Sequence, residues 1–474
     1  MQRVFIRDAS LSEFGKTNSS LVTIIQNAFS KLTVAESEID AVFIGLMNPE
    51  GFTNVGNIAS YITDKLEIFG KPAVRIETAS STGAAVFFSA YAAIRSGLYK
   101  NVLVIGAEKM TDLKGKDVTR LISQVIDPYE RKTGVTMPAL AAIVANRFRY
   151  ENRISPSKFQ DILCEVAIKN HHYGSMNPIS HLKMPITKDK YFNSKLISTP
   201  LRLFDCSPVS DGAAAIVLSS SKGEIEIIGI GQGTDRQSLA KRPTITSFAS
   251  TKTAASQAYK MAGISPESID FAEIHDAFTP FEIIGLLDTG LLKREDIKKF
   301  YMNKEGYHTG RLPVNISGGL KSRGHPLGAS GLAQIAEAFK IMTDCYPQEI
   351  TPKQRDVCLT QSVGGLATNN FVTILRKKDA VLKPSTVEIK DIFPEEIPFK
   401  SDNRLRLYSY TTLYATTDNK PYLNLVICER NHRKFFARYA DNYKMRIKTV
   451  LKIDKKDEGI VFVRKANKFS IKDK

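Results

Sequence analysis

The stretch NISGGLKSRGHPLGASGLAQIAEAF, residues 315–339, combines an unusual density of glycine with a single histidine. A Gly-Gly pair at 318–319 is followed by Gly324-His325-Pro326 and then by a Gly- and Ala-rich segment. Glycine permits positive φ and lets other chain segments approach closely. His325 is therefore fixed between a glycine and a proline, which favours a functional role over a purely structural one. The segment 330–342 is predicted to form a helix with small residues at its packing face.

Two further segments place polar groups where strands end. In EIHDAFTPFE, residues 273–282, a β-type run leads into His275-Asp276 before a helix. A lone histidine is more often structural, but one beside an aspartate at a strand's carboxyl end lies where α/β proteins place their sites. In CLTQSVGGLATNNFVTIL, residues 358–375, a Gly-Gly turn between two strands could present backbone N–H groups to an oxyanion. Such turns are common, so this segment alone is a weak signal.

The segment RIETASSTGAAVFFSAYAAI, residues 75–94, predicts a strand and then a helix, with Ser80 at the turn between them. The free N–H groups and the dipole of a helix N-terminus favour an anion at that point. A nucleophile placed there would gain stabilisation of its charged form. The alternative is that Ser80, Ser81 or Thr82 only caps the helix, and this segment taken alone favours that alternative.

Strand-like and helical segments alternate through about residue 378, which is typical of an α/β fold. The strand-like runs are 41–46, 101–108, 213–220 and 224–231, and the helical ones are 20–32, 81–97 and 330–342. A long, polar, His-bearing segment from about 111 to 198 interrupts this alternation, and we interpret it as an insertion or lid. A linker-like run, residues 219–223, separates two parts of similar element order, so we predict two α/β halves, 1–222 (which includes the insertion) and 223–378.

After residue 378 the pattern changes to short strand-like runs separated by turn signals. A Pro-containing connector over 383–399 leads to runs that begin at Leu405, Leu423, Lys434, Arg446 and Ile460. Short strands with near-alternating apolar and polar residues are typical of small β-barrels. We therefore predict that 379–474 holds a linker and a separate barrel of about 75 residues.

The composition places the chain among ordinary globular proteins: 474 residues, 43% hydrophobic and 24% charged. It excludes a disordered chain, a coiled coil and a small disulfide-stabilised scaffold. The five cysteines include no CxxC pair, which argues against a disulfide framework and a zinc ribbon. No apolar run reaches the roughly 18 residues of a membrane-spanning helix. With no signal peptide at the N-terminus, we expect a cytoplasmic protein.

The net charge is +17, and residues 379–474 hold 21 Lys and Arg against 13 Asp and Glu. A basic surface attracts nucleic acid, anionic membrane or a phosphate-bearing ligand. Bases and aromatics interleave in RKFFARYADNYKMR, residues 433–446, a pattern that suits a surface for single-stranded nucleic acid. The same alternation suits the strands of a small barrel, and we favour the barrel over nucleic-acid binding.

Together and in this order, these segments resemble the thiolase superfamily, in particular its sterol-carrier-protein-type and archaeal acetyl-CoA acetyltransferase-like branches. The resemblance runs from about Arg3 to Arg376 and rests most on HDAF (275–278) and NISGGLKSRGHPLGASG (315–331). It implies a five-layered α/β/α/β/α sandwich of two similar halves, in a homodimer or larger homo-oligomer that acts on CoA thioesters. The C-terminal runs resemble the OB-fold module that accompanies thiolase-like proteins, here fused and without that module's zinc-ribbon cysteines.

The resemblance assigns roles to individual residues. The family's reactive cysteine falls on Ser80, the histidine that activates it on His325, and the histidine that holds the substrate carbonyl or a water on His275. The amide of Ser80 with that of Val363 or Gly364 would form an oxyanion hole. Substrate contacts are expected from the same motifs, at Asp276, Asn315, Gly318, Gly319 and Gly324. The lid would cover the pantetheine arm, coenzyme A enters only as part of the substrate, and no metal is expected.

Three positions depart from the family pattern, because none of them holds a cysteine. The nucleophile position is Ser80, the proton-shuttling cysteine is absent from Gln361-Ser-Val-Gly, and the cysteine of HDCF in some relatives is Ala277. A serine hydroxyl is a much weaker acid than a thiol and needs a general base in every turnover. His325 could be that base, but an oxyester transfers poorly back to a thiol, which argues against classical thiolysis.

Two chemical routes and one non-catalytic role remain open. In one route Ser80 takes the acyl group, as in an acyltransferase. In the other, the histidines carry out aldol or retro-aldol chemistry on a 3-hydroxyacyl-CoA with no covalent step. The loss of cysteine slightly favours the second route, because proton transfer and oxyanion stabilisation survive it. The non-catalytic alternative is a silent subunit that binds acyl-CoA or lipid beside a partner, such as another acyl-CoA enzyme or a zinc-ribbon protein.

Overall fold

The computed structural model describes residues 2–382, 393, 404–414, 422–440, 445–457 and 459–466. The connector predicted over 383–399 lies, apart from residue 393, outside the described residues. The first half alternates strands and helices. Its elements are β1 (Phe5–Leu11), α1 (Leu21–Phe29), β2 (Ala41–Gly45), α2 (Pro49–Thr53), α3 (Ile58–Lys65), β3 (Ala73–Ile76), α4 (Thr82–Arg95) and β4 (Asn101–Glu108).

The segment predicted as a lid is mostly helical and partly buried. It holds α5 (Gly115–Ile122), α6 (Pro128–Arg131), α7 (Met137–Glu151), α8 (Pro156–Met176), α9 (Lys188–Phe192) and β5 (Leu196–Ser198), and β6 (Leu201–Arg202) follows it. Most residues of α7 are buried, in a run from Ala139 to Phe148. This insertion is therefore a packed part of the fold.

The chain then completes the first half and builds the second. These elements are β7 (Gly212–Ser219), β8 (Ile225–Thr234), α10 (Ala249–Ala262), β9 (Phe271–Ile274), α11 (Thr279–Asp288), α12 (Ile297–Met302), α13 (Gly319–Arg323), α14 (Ser330–Met342), β10 (Val357–Gly364) and β11 (Asn369–Lys377). All eight residues of β7 and of β10 are buried, as expected of apolar strands covered on both faces.

The two halves repeat one strand order. Nine strands pair in the order β3-β2-β4-β7-β1-β8-β11-β10-β9, with the halves joined where β1 pairs with β8. The first half therefore runs β1-β7-β4-β2-β3 and the second β8-β11-β10-β9. In the second half a parallel bridge of Val314 to Ala272 occupies the place of the edge strand. The duplication predicted at the level of the fold is present in this order.

The alternating residues of β7 show how the layers are arranged. Ala213, Ala215 and Val217 pack in one core with α1 and α3, whereas Ala214 and Ile216 pack in another with α4 and α14. Because neighbouring residues of a strand point to opposite faces, these helices cover opposite sides of the sheet. Helix α14 also contacts β10 of the second half, and α10 covers β8 and β11 from outside. The fold is the predicted five-layered α/β/α/β/α sandwich.

The central helices approach closely through glycine. A Cβ placed on Gly331 of α14 would lie 2.7 Å from the backbone nitrogen of Ala84 on α4. A Cβ on Gly83 of α4 would lie 2.6 Å from the backbone nitrogen of Leu332 on α14. Since real Cβ atoms do not approach so closely, these two glycines set the distance between the central helices.

A second sheet is formed largely by the described strands after residue 404. Its strands are β12 (Arg406–Leu413), β13 (Leu423–Arg430), β14 (Arg433–Tyr439), β15 (Leu451–Asp457) and β16 (Ile460–Lys465), and we call their described residues the C-terminal module. The sheet order is β15-β16-β14-β13-β12-β5-β6. The N–H of Leu451 also donates to the carbonyl of Leu405, 2.9 Å away, so the first and fourth strands of the module meet as well.

This pairing order agrees with a small barrel, and the assignment to the OB-fold stays a prediction. The module is joined to the rest of the chain by a strand pairing, because Leu413 pairs with Ser198 of β5. No sequence pattern indicates this pairing, since β5 is only three residues long.

Replacement of Gly331 tests the close contact of the central helices. We expect Gly331→Ala to lower the free energy of unfolding by about 1–3 kcal/mol, because the added methyl group overpacks the contact with Ala84. In Gly56→Ala, whose Cβ would meet nothing within 4 Å, the change should stay within about 0.5 kcal/mol. Urea-induced unfolding of both variants measures the difference. Equal stability of the two variants would show that the helices do not depend on this contact.

Candidate active site

One cavity of about 170 Å³ is bordered by both halves and by the insertion. Its polar lining consists of Ser80, Thr119, Cys206, Ser207, His275 and His325. The rest is apolar and comes from separate segments, with Met47, Met110, Met137, Phe281 and Leu327 among it. The three residues that the motifs single out as catalytic candidates thus share a single, mostly apolar cavity.

Ser80 lies at the turn between β3 and α4, as its segment predicts. Ala79 before it adopts a left-handed conformation with φ of +57°, which costs energy for a residue that is not glycine. The hydroxyl of Ser80 donates to the carbonyl oxygen of Val363 at 2.9 Å. In this arrangement the hydroxyl proton is held by a backbone carbonyl and not by a histidine.

His275 follows β9 directly and is fixed from two sides. Its backbone N–H donates to Oε1 of Gln361 at 3.0 Å, and its Nδ1 accepts from the N–H of Val363 at 3.2 Å. Burial lowers the pKa of His275 well below its ordinary value, with His325 and Arg323 adding to the effect. Because Nδ1 of this neutral ring is an acceptor, the proton must be on Nε2.

His325 is oriented by Ser330, the first residue of helix α14. Its Nδ1 lies 2.6 Å from Oγ of Ser330, and that hydroxyl donates to the carbonyl oxygen of Pro326 at 2.7 Å. The hydroxyl of Ser330 has one proton and donates it to Pro326, so its oxygen can only accept a hydrogen bond from the ring of His325. Nδ1 of His325 therefore carries the proton, and Nε2 is left as the acceptor. Burial, with a smaller effect of Arg323, lowers the pKa of His325 to about 3.

The two rings form a pair with opposite tautomers. Their centroids are 5.2 Å apart and their planes are nearly perpendicular, at 87°. The hydrogen bonds assign a free N–H to His275 and a free lone pair to His325. One ring can thus donate a hydrogen bond to a developing oxyanion while the other accepts a proton.

The amides expected to form the oxyanion hole with Ser80 are already engaged. The N–H of Val363 donates to His275, and that of Gly364 donates to Oδ1 of Asn370 at 3.3 Å. This geometry does not support the predicted role of Val363 or Gly364. Gly365, the next residue of the turn, is the one that lines the cavity.

The residues predicted to contact substrate lie behind the cavity. None of the five described residues Asp276, Asn315, Gly318, Gly319 and Gly324 belongs to its lining. The carboxylate of Asp276 accepts from the N–H of Leu320 at 2.6 Å, and Asn315 Oδ1 accepts from the N–H of Ile274 at 2.7 Å. These side chains tie the HDAF segment to the glycine-rich segment, and their role here is support.

The three glycines of this group serve packing. Gly319 and Gly318 adopt φ of +57° and +93°. A Cβ on Gly319 would lie 2.4 Å from the Asp276 carboxylate, and one on Gly324 would lie 2.9 Å from Oγ of Ser210. Glycine is needed at these places because the residues packed behind His325 leave no space for a side chain, and not because a ligand approaches.

A buried carboxylate outside the four motifs holds two walls of the cavity together. Glu108, at the end of β4, accepts from the N–H of Met47 at 2.8 Å and from that of Gly328 at 2.9 Å. Burial raises the pKa of Glu108 to about 7. Its position after the apolar run of β4 is the only sequence signal that could have indicated it. Met47 and Leu327, next to these contacts, line the cavity.

Cys206 is the cysteine that lines the cavity. Its thiol lies 3.6 Å from the carbonyl oxygen of Arg202, and burial raises its pKa to about 12. A thiol that stays protonated is a poor nucleophile, so Cys206 does not replace the family's reactive cysteine. Burial also raises the pKa of Cys358 well above its ordinary value.

Within the described part of the chain, no group of His, Cys, Asp and Glu side chains is arranged to hold a metal ion. Among the same residues, no helix combines the length and the apolar character that crossing a membrane requires.

Comparison with protein families matches most of the chain. Residues 6–222 match the model described as the thiolase N-terminal domain, and residues 231–377 the one described as thiolase C-terminal domain-like. The chain is 33% identical over 353 residues to an acetyl-CoA acetyltransferase of Methanothermobacter thermautotrophicus, an alignment that covers 73% of this chain and 90% of that protein.

Two solved structures share the fold. A monomeric SCP2-thiolase like protein type 1 from Mycobacterium smegmatis aligns with a TM-score of 0.74 at 16% identity, over 98% of this chain and 99% of that one. A chain of the Ltp2-ChsH2(DUF35) aldolase aligns with a TM-score of 0.67 at 21% identity, over 80% of this chain and 98% of that one. At these identities the likeness concerns the fold alone.

The tautomers of the two histidines can be measured directly. We expect long-range ¹H–¹⁵N NMR spectra to show His275 protonated on Nε2 and His325 protonated on Nδ1. Because burial lowers both pKa values, both rings should remain neutral at about pH 5.5, where a free imidazole is mostly charged. The variants His275→Gln and His325→Gln assign the signals. A pKa near 6.5 for either ring would contradict the buried, neutral pair.

Proposed function

The chain belongs to the thiolase family, and from that premise we propose that it binds acyl-CoA thioesters and makes or breaks the carbon–carbon bond beyond the thioester carbonyl by proton transfer. No acyl-enzyme is formed in this proposal. The single observation that carries it is the pair of neutral imidazoles, 5.2 Å apart, with a donor on one ring and an acceptor on the other. That pair offers the two functions that an aldol or retro-aldol reaction requires.

In the cleavage direction the substrate is a 3-hydroxyacyl-CoA. Nε2 of His325 accepts the proton of the 3-hydroxyl group, and the bond between carbons 2 and 3 breaks to leave an aldehyde or ketone. The electron pair forms the enolate of the shortened acyl-CoA, whose oxygen receives the hydrogen bond from Nε2 of His275. The proton on His325 then moves to carbon 2, which releases the acyl-CoA and restores both rings.

Ser80 supports this route over acyl transfer. A serine nucleophile needs a base that takes its proton, but the hydroxyl donates to the carbonyl oxygen of Val363. The hydroxyl can instead help to hold the turn that carries β10 against α4. Covalent acyl transfer at Ser80 is the alternative that the experiment below separates from the proposal.

The apolar lining fits the thioester and its acyl chain. Met47, Met110 and Met137 come from three separate segments, and methionine adapts its shape to different apolar groups. A cavity with few polar groups also strengthens the hydrogen bond to a developing enolate, because water screens it less.

We propose a homo-oligomer or a complex with a second acyl-CoA protein as the working state, and a cytoplasmic location.

The substitution of each candidate residue separates the mechanisms. With short-, medium- and long-chain 3-hydroxyacyl-CoA thioesters as probes, we expect His325→Gln and His275→Gln to lower the rate of carbonyl release by about 10²–10³-fold, since one loses the base and the other weakens oxyanion stabilisation. Ser80→Ala should stay within about threefold of the wild-type rate. Carbonyl release and the shortened acyl-CoA are measured by liquid chromatography with mass spectrometry.

Two outcomes would contradict the proposal. Loss of activity in Ser80→Ala, together with an acyl adduct on Ser80 in the wild-type chain, would establish covalent acyl transfer. Tight binding of acyl-CoA without turnover of any probe would instead identify a silent binding subunit. Lys452→Gln, in β15 of the C-terminal module, serves as the control variant with unchanged activity.

A further inference from the structure

The C-terminal module is hydrogen-bonded to α7, the helix that forms one wall of the cavity. Met137 and Pro138, at the start of α7, line the cavity. Further along the same helix, Oγ of Ser409 donates to the carbonyl oxygen of Ile143 at 2.7 Å, and Nδ2 of Asn146 donates to the carbonyl oxygen of Tyr410 at 2.9 Å. Strand β12 and helix α7 are thus joined by two reciprocal hydrogen bonds. In one, a side chain of α7 donates to the backbone of β12, and in the other a side chain of β12 donates to the backbone of α7.

A buried arginine strengthens this contact. Arg147 of α7 is only 2% exposed, and its guanidinium lies over the ring of Tyr408 at 3.8 Å from the centroid. One of its N–H groups donates to the carbonyl oxygen of Tyr408 at 3.1 Å. The charge of Arg147 is paired within α7, where its Nε donates to Oε1 of Glu151 at 2.6 Å, and the module covers the guanidinium with the ring and the carbonyl oxygen of Tyr408.

The module also holds the chain just before α7. Nε of Arg438 on β14 donates to the carbonyl oxygen of Thr133 at 3.0 Å. A Cβ on Gly134, whose φ is +82°, would lie 3.1 Å from Leu423 of β13. The module is therefore fastened on both sides of Met137.

The apolar packing is continuous from the module to the cavity. Tyr408, Leu425 and Phe436 of the module belong to the same buried cluster as Leu140 and Ile143 of α7. Phe278 and Phe281, which line the cavity, belong to that cluster too. Since a close-packed core transmits displacement, a shift of the module moves the wall.

We propose that the C-terminal module is a built-in positioning element of the cavity, which sets the place of Met137 and Pro138 and thereby the affinity for the acyl group of the thioester. This inference rests on the proposed function, because it takes an acyl-CoA as the ligand. The apolar wall contacts the acyl chain, whereas the polar nucleotide part of CoA finds no partner there. The module therefore affects the affinity for acyl-CoA more than the affinity for free CoA.

The test compares octanoyl-CoA and free CoA by isothermal titration calorimetry. We expect Arg438→Gln to weaken octanoyl-CoA binding by about fivefold, as one lost hydrogen bond would, and Arg147→Met by about tenfold or more. Free CoA should bind each variant within about twofold of the wild type. The matched control is Arg464→Gln on β16, whose ion pair is with Asp454 within the module, and it should bind both ligands as the wild type does.

A second measurement uses the wild-type chain and does not depend on the folding of any variant. In hydrogen–deuterium exchange, octanoyl-CoA should slow exchange in α7 and also in β12 to β14. Protection of α7 with unchanged exchange in β12 to β14, or wild-type affinity in folded Arg147→Met and Arg438→Gln, would overturn the role of the module. If the wild-type chain binds neither ligand, the proposed function itself fails.

Discussion

The burial of two imidazoles beside each other is the constraint on which the rest of the site depends. Two charged rings with centroids 5.2 Å apart in an apolar cavity would repel each other and lose their hydration. Burial lowers the pKa of both rings, and a neutral ring has one donor and one acceptor. Each ring then needs a partner that fixes which nitrogen holds the proton, and the structure supplies Val363 and Ser330.

The glycine-rich and acidic residues around the pair serve this fixation. Asp276 and Asn315 tie together the segments that carry the two histidines, and Gly319 leaves the space that the carboxylate of Asp276 occupies. Glu108 joins the loops that carry Met47 and Leu327. The supporting groups are polar and buried because backbone N–H groups of sharp turns, which have no partner within a strand or helix, must be satisfied. A site without a reactive thiol can still act on a thioester through such rigid, oriented dipoles.

Much of the fold could be predicted from the sequence, because strand and helix periodicity and the glycine-rich motif are local signals. Ser80, His275 and His325 were singled out by their motifs, and the structure brings them to one cavity. The support role of Asp276 and Asn315 could not be predicted, since a motif shows that a residue matters but not which way its side chain points. The walls from the insertion and the pairing of Leu413 with Ser198 depend on contacts distant in sequence, for which no periodicity exists.

The most direct measurement of the central claim is the exchange of the α-hydrogens of acetyl-CoA with solvent, followed by mass spectrometry in D₂O. By microscopic reversibility, the base that returns a proton to carbon 2 in cleavage also removes one from it. The account predicts deuterium incorporation by the wild-type chain, at a rate strongly reduced in His325→Gln, with no mass added to the peptide that holds Ser80. An acyl mass on that peptide without any exchange would contradict it.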